Sequence, residues 1–249
     1  DYSSYLDANA LKGKRIGVVT TYAGGNAEVD TAFKKAMTQI RNQGAKTVDV
    51  TVPEFIQEAW SSMMGPVVDN EFDDQIEYYF DKDKAPIQTV EELIDLSLAP
   101  GILYSENPVN PGRVDGYRAA ANSLGLADQL YIEIVTSRLP SARQLIIELM
   151  KDKKLDALVF PTMLCPASPL LTLKDKTYVC SASDAYIPAY LASSTGFPEI
   201  TVPMGFTKHG LPLGISFFAT AYDEPRLIGL AYAFEQATSW RRPPANTPE

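Results

Sequence analysis

Few side chains in this 249-residue sequence combine the type and the spacing needed to make or break bonds. A serine triad needs an imidazole base. The single histidine, His209, lies between Lys208 and Gly210 in a turn, and no Gly-x-Ser-x-Gly elbow accompanies it. A cysteine nucleophile would need the same histidine. Cys165 and Cys180 stand 15 positions apart and can pair only if the fold brings them together; the expected role of both is that of small, partly buried hydrophobes. One imidazole and two thiols make neither a multi-histidine site nor a zinc ribbon, so any metal would be held by oxygen, and no metal site is expected. The carboxylate pairs Asp73-Asp74 and Glu91-Glu92 fall on helical segments and read as solvated faces. Gly17, Gly24 and Gly25 do not have the spacing of a dinucleotide fingerprint, which leaves a plain turn and no expected cofactor. Residue types and spacing alone therefore single out no catalytic group.

Composition removes further classes. With 22 Lys+Arg against 31 Asp+Glu the formal charge is −9, and the basic residues form no stripe, so a nucleic-acid partner is excluded. At 45% apolar residues the chain is of the folded globular type. Apolar runs such as Leu155 to Phe160 fall far short of the roughly 20 residues that cross a bilayer, so no membrane span is expected. No basic-then-apolar signal opens the residues given; a soluble protein is expected, its compartment left open with the cytoplasm favoured.

The elements that must position any site follow from hydrophobic period and from turn residues. Lys14 to Thr20 and Lys46 to Val52 read as strands, and Ala27 to Gln43 between them carries Val29, Phe33, Ala36, Met37 and Ile40 at helical spacing, stopped by Gly44. Strand, helix, strand predicts a βαβ unit with parallel strands. Glu54 to Phe80 and Thr89 to Leu98 read as helices, the second opened by a capping box between Thr89 and Glu92. Leu126 to Lys153 is helical, with a break or kink expected at Pro140. Leu155 to Phe160 is a strand, Ser181 to Gly196 is partly helical, and Glu199 to Phe206 with Pro212 to Thr220 form a hairpin. Asp223 is expected to cap a last helix reaching Trp240, and 241–249 to be an extended, mobile tail. The predicted architecture is one α/β domain over 1–249, with a mixed, mainly parallel sheet, helices on both faces, and a mainly helical stretch, 54–153, within it.

Three stretches taken in order resemble the amidase signature family, in its peptide-amidase-like branch. They are Asp1-Tyr2 to Leu6-Asp7 with Leu11-Lys12-Gly13-Lys14-Arg15-Ile16-Gly17-Val18, then Leu155-Asp156-Ala157-Leu158-Val159-Phe160-Pro161-Thr162, and finally Thr195-Gly196-Phe197-Pro198-Glu199-Ile200-Thr201-Val202-Pro203-Met204-Gly205 running on to Gln236. The resemblance implies the second half of the amidase fold and hydrolysis of a carboxamide C–N bond. The family's lysine, its serine on a cis peptide and its nucleophilic serine, which is set in a Gly-Gly-Ser-Ser-Gly-Gly type stretch, all precede the passage Asp1 resembles. Neither Ser61-Ser62 nor Ser193-Ser194 has the flanking glycine pairs that would build an oxyanion hole.

The implied partner is then an N-terminal half of the amidase, and the implied ligand a small-molecule or peptide amide. Ligands of open α/β sheets sit beyond the carboxyl ends of strands, which nominates Pro161, Thr162 and Cys165 as pocket residues. Asp184, Ser193, Ser194 and Thr195, ahead of another strand, are candidates for the same cavity. Glu199 departs from the small residue usual in the family. The alternative expectation is a non-catalytic binding or scaffold domain that keeps the half-fold.

Overall fold

The computed structural model describes residues 1–170 and 175–243. Arg15–Val19 (β1), Lys46–Val50 (β2), Ala157–Pro161 (β3), Glu199–Phe206 (β4) and Pro212–Phe218 (β5) form one sheet in the order β2-β1-β3-β5-β4. β1 is parallel to both β2 and β3, whereas β5 is antiparallel to β3 and to β4. Four of the five strands thus point the same way, and β5 is the exception. The central strands are apolar on both faces, β3 being buried throughout, while the edge strand β2 keeps Lys46 and Asp49 exposed.

The βαβ unit forms as the periodicity predicts. Asn26 accepts hydrogen bonds from the Glu28 and Val29 amides and so starts the helix Ala27–Asn42, which buries Val29, Phe33, Ala36, Met37 and Ile40. Burial of each of the four larger side chains is worth roughly 1.5–3 kcal/mol relative to exposure, and that of Ala36 less. The helix Glu224–Thr238 lies against the same side of the hairpin, with Phe234 in an edge contact with Phe217 at 5.8 Å. Asp223 does not cap that helix with its side chain. Its carboxylate instead accepts from the Thr220 hydroxyl at 3.0 Å and pairs with Arg226 at 3.2 Å.

The chain divides into two compact units: Asp1–Ala59 with Ala142–Glu249, which holds the sheet, and Trp60–Ser141. The helical stretch expected within a single domain, 54–153, is therefore parted between them. In the second unit the single helix expected over Glu54 to Phe80 becomes a wide π turn, Trp60–Met64, leading into the helix Gly65–Asp83, after a short helical piece, Glu54–Gln57, that belongs to the first unit. Thr89 accepts the Glu92 amide, but the Glu92 carboxylate reaches Gln88 N at 2.6 Å, one residue ahead of the position a capping box predicts. The interruption expected at Pro140 is present and falls just ahead of it. The turn before it, Ile134–Arg138, widens to π geometry, and Pro140 takes the second position of the helix Leu139–Asp152, where its missing N–H is needed less. The second unit carries 14 of the 31 acidic side chains and 5 of the 22 basic ones, so the whole net charge of −9 belongs to residues 60–141.

Candidate functional site

The candidate site lies in the sheet unit, where β3 ends. Alternation along the strands puts Phe160 and Thr162, Gly214, Ser216 and Phe218, and Glu199 and Thr201 on one face, because Phe160 pairs with Ser216 and Thr201 with Ser216 across the ladder. This face starts aromatic. Tyr22 meets Phe160 edge-on at 5.4 Å, Phe218 lies beside Phe197, and the Arg143 guanidinium sits 5.3 Å over the Phe197 ring. One step along the strands it turns hydroxylic.

There, Thr162 Oγ1 is 2.8 Å from Ser216 Oγ and 3.3 Å from Thr201 Oγ1, either of which can accept its one proton, and Thr201 lies 3.2 Å from Ser216. Ser216, fully buried, donates to Glu199 Oε1 at 2.5 Å. Gly214 makes the meeting possible. A Cβ on it would stand 2.8 Å from Thr201 Cγ2 and 3.0 Å from Thr162 Oγ1. Burial holds the Glu199 carboxyl above the usual carboxylate range, opposed by the Ser216 hydrogen bond. Tyr22 is wholly buried with no hydrogen-bond partner for its hydroxyl among the described residues, and burial, then the Glu199 charge, pushes its pKa up.

Thr162 and Thr201 line a groove of about 890 Å³, with Val202, Phe206 and Leu213 as apolar lining and Arg241 and Arg242 also bordering it. Arg242 stacks 3.8 Å over Phe206, so the first residues of the expected mobile tail are anchored; 244–249 lie outside the described residues. A smaller neighbouring concavity of about 390 Å³ shares Met163, Leu213 and Gly214 and is bounded by Cys165, Ala185 and Tyr186.

The other nominated residues are placed differently. Pro161 is buried as the last residue of β3. Cys165, also buried, is bonded to Cys180, which corrects the expectation that both would serve as separate hydrophobes. The fold brings them together because the segment after β3 is stitched back over the Gly25 turn, Ser181 N donating to Gly25 O at 2.8 Å and Asn26 Nδ2 to Val179 O at 2.7 Å. Asp184 accepts from Tyr186 N at 2.7 Å and from the Tyr190 hydroxyl at 2.8 Å. Ser193, Ser194 and Thr195 spend their hydroxyls on carbonyls of Ala189 and Leu191 in their own turn, so they point no free donor into the groove. His209 is exposed at the hairpin turn. In the other unit, Asp73 is less solvated than its sequence setting suggests. Burial, then the charges of Glu91 and Asp74, raises its pKa, yet no group of His, Cys, Asp and Glu among the described residues could hold a metal.

Thr201, Gly214 and Ser216 are the site residues that residue-type reasoning passes over. Their signal is the period of two, with a small or hydroxylic residue at every second position of otherwise apolar strands.

The model of the family described as Amidase matches residues 3–228. The native peptide amidase from Stenotrophomonas maltophilia is 31% identical, with a TM-score of 0.77 over 99% of this chain and 47% of that one. A probable amidase of Arabidopsis thaliana is 28% identical over 98% of this chain and 42% of its own length. A glutamyl-tRNA(Gln) amidotransferase subunit of Brachyspira hyodysenteriae is 25% identical over 95% of this chain and 48% of its own. This chain thus spans about half the length of the relatives it matches. With the motifs around Thr162 and Thr201 lying inside the matched residues, the chain belongs to the amidase family.

Proposed function

We propose that this chain is the C-terminal portion of an amidase that cleaves the C–N bond of a carboxamide in a small molecule or peptide, and that its groove supplies one wall of the substrate site. The observation that carries the reading is the groove of Thr162, Thr201 and Gly214 at the carboxyl end of β3, in a chain matching the family over 3–228. The attacking serine, the cis-peptide serine and the lysine would come from an N-terminal portion, the partner of this chain. The serine would add to the amide carbonyl, the amine or ammonia would leave, and water would release the acyl group. Coverage of 42% to 48% of the curated relatives supports a partner of comparable length.

The Cys165–Cys180 bond supports an oxidising compartment over the cytoplasm that the sequence suggested. Among the described residues no helix is long and apolar enough to cross a membrane.

Ammonia release from a C-terminally amidated peptide tests the proposal. The chain alone should release none, and the product of the reading frame extended upstream of the Asp1 codon should release it catalytically. Turnover by the chain alone at an enzymic rate, or an upstream frame with no glycine-flanked Ser-Ser, would overturn it.

A further inference from the structure

The hydroxyl cluster has a direction. Ser216 gives its only proton to Glu199, so its lone pairs are left to accept from the threonines, and the single Thr162 proton, whether it goes to Ser216 or to Thr201, stays inside the cluster. Threonines whose protons are turned inward present lone pairs outward, and both line the groove. A carboxylate hidden behind hydroxyls thereby sets the polarity of a surface it does not touch. The two arginines bordering the groove disfavour a cationic amine in it.

We propose that Thr162 and Thr201, oriented by Ser216 and Glu199, form an acceptor site that reads the N–H2 group of a primary carboxamide. Glu199 and Ser216 are positioning residues here, acting through the threonines. The inference rests on the reading of the groove as a substrate wall, and goes further by assigning the atoms that tell an amide from an isosteric carbonyl compound. Protonation reverses one arm of the relay: a neutral Glu199 can donate to Ser216, whose own proton then goes to one threonine and frees that threonine's proton to point outward. The groups facing Glu199 are Tyr22, from the segment after β1, and Ser216, from β5. Tyr22, its pKa pushed up by burial, stays neutral through the carboxylate range, so Glu199 alone sets the polarity.

The test uses the full chain and two probes of equal shape, benzamide and acetophenone, which differ in the N–H2 group. Binding is read from the methyl NMR resonances of Thr162 and Thr201. Benzamide is expected to bind about five- to tenfold more tightly than acetophenone at neutral pH, the worth of one well-placed hydrogen bond. That preference should fade as pH falls through the Glu199 titration. Ser216→Ala should erase the preference, and Glu199→Gln should keep an acceptor in place and remove only its pH dependence. Equal binding of the two probes at the groove, or an undiminished preference in Ser216→Ala, would overturn the acceptor site while leaving the substrate wall standing. Benzamide that leaves both methyl resonances unmoved would overturn the two together. The wild-type pH series involves no substitution and decides the matter even if a variant fails to fold.

Discussion

Ser216 and Glu199 face each other across two antiparallel strands at 2.5 Å, a hydroxyl with no solvent exposure donating to a carboxylate that is itself half-hidden. One hydrogen bond only partly offsets the desolvation of that charge, since the carboxyl remains above its ordinary range.

Glu199 should therefore make the sheet unit less stable as pH rises. A group whose folded-state pKa lies above its unfolded one binds its proton more tightly when folded, so stability falls while pH climbs through the raised titration range. Glu199→Gln is expected to raise the thermal unfolding midpoint at pH 7 and to leave it unchanged at pH values below the carboxylate range. Melting curves across pH check both limbs, and a variant equally shifted at all pH values would contradict the assignment.

Reduction of Cys165–Cys180 reopens a segment whose ends are 15 residues apart. Chain entropy puts the loss at about 3 kcal/mol for such a loop. Urea unfolding of the native chain and of the double variant Cys165→Ala, Cys180→Ser should show that difference, and the gap between them should close in dithiothreitol.

Two glycines make a useful pair of controls. A Cβ at Gly25 would meet the Leu164 carbonyl oxygen at 2.6 Å, and one at Gly17 the tips of Leu155 and Leu158 at 2.7 Å. Main chain cannot step aside as leucine methyls can, so Gly25→Ala should cost about 2–3 kcal/mol and Gly17→Ala clearly less, although Gly17 sits in the sheet and Gly25 in a turn. Paired denaturation curves give the ranking.

Arg242 holds the end of the described chain to the hairpin through its contact with Phe206 at 3.8 Å. Removing the guanidinium forfeits about 0.5–1 kcal/mol. In Arg242→Ala, trypsin should cut after Arg241 several-fold faster than in the native chain, with no change in unfolding midpoint beyond about 1 kcal/mol.

What could be read from the sequence was whatever depends on local period. The βαβ unit, the hairpin and the last helix follow from spacing of apolar residues, and their bounds in the structure differ from the expected ones by one or two residues. What could not be read depends on partners far apart in the chain. Cys165 gives no hint that Cys180 returns to it, because hydrogen bonds from Asn26 and to Gly25, some 150 positions away, close that path. Ser193 and Ser194 attract notice as a serine pair, yet a single helical turn absorbs both hydroxyls. Thr162 was legible from its place after a strand. Thr201 and Ser216 were not, since each becomes polar surface or polar core only once β5 is inserted between β3 and β4.

The confinement of the entire charge imbalance to 60–141 makes that helical unit the part of the molecule that sets its colloidal behaviour. The remainder carries 17 acidic and 17 basic side chains and is isoelectric near neutrality, the condition in which proteins associate most readily. The acidic helices are therefore expected to keep the chain in solution near neutral pH. Turbidity near pH 7 should rise when their exposed carboxylates are changed to amides, with no loss of the sheet's own stability.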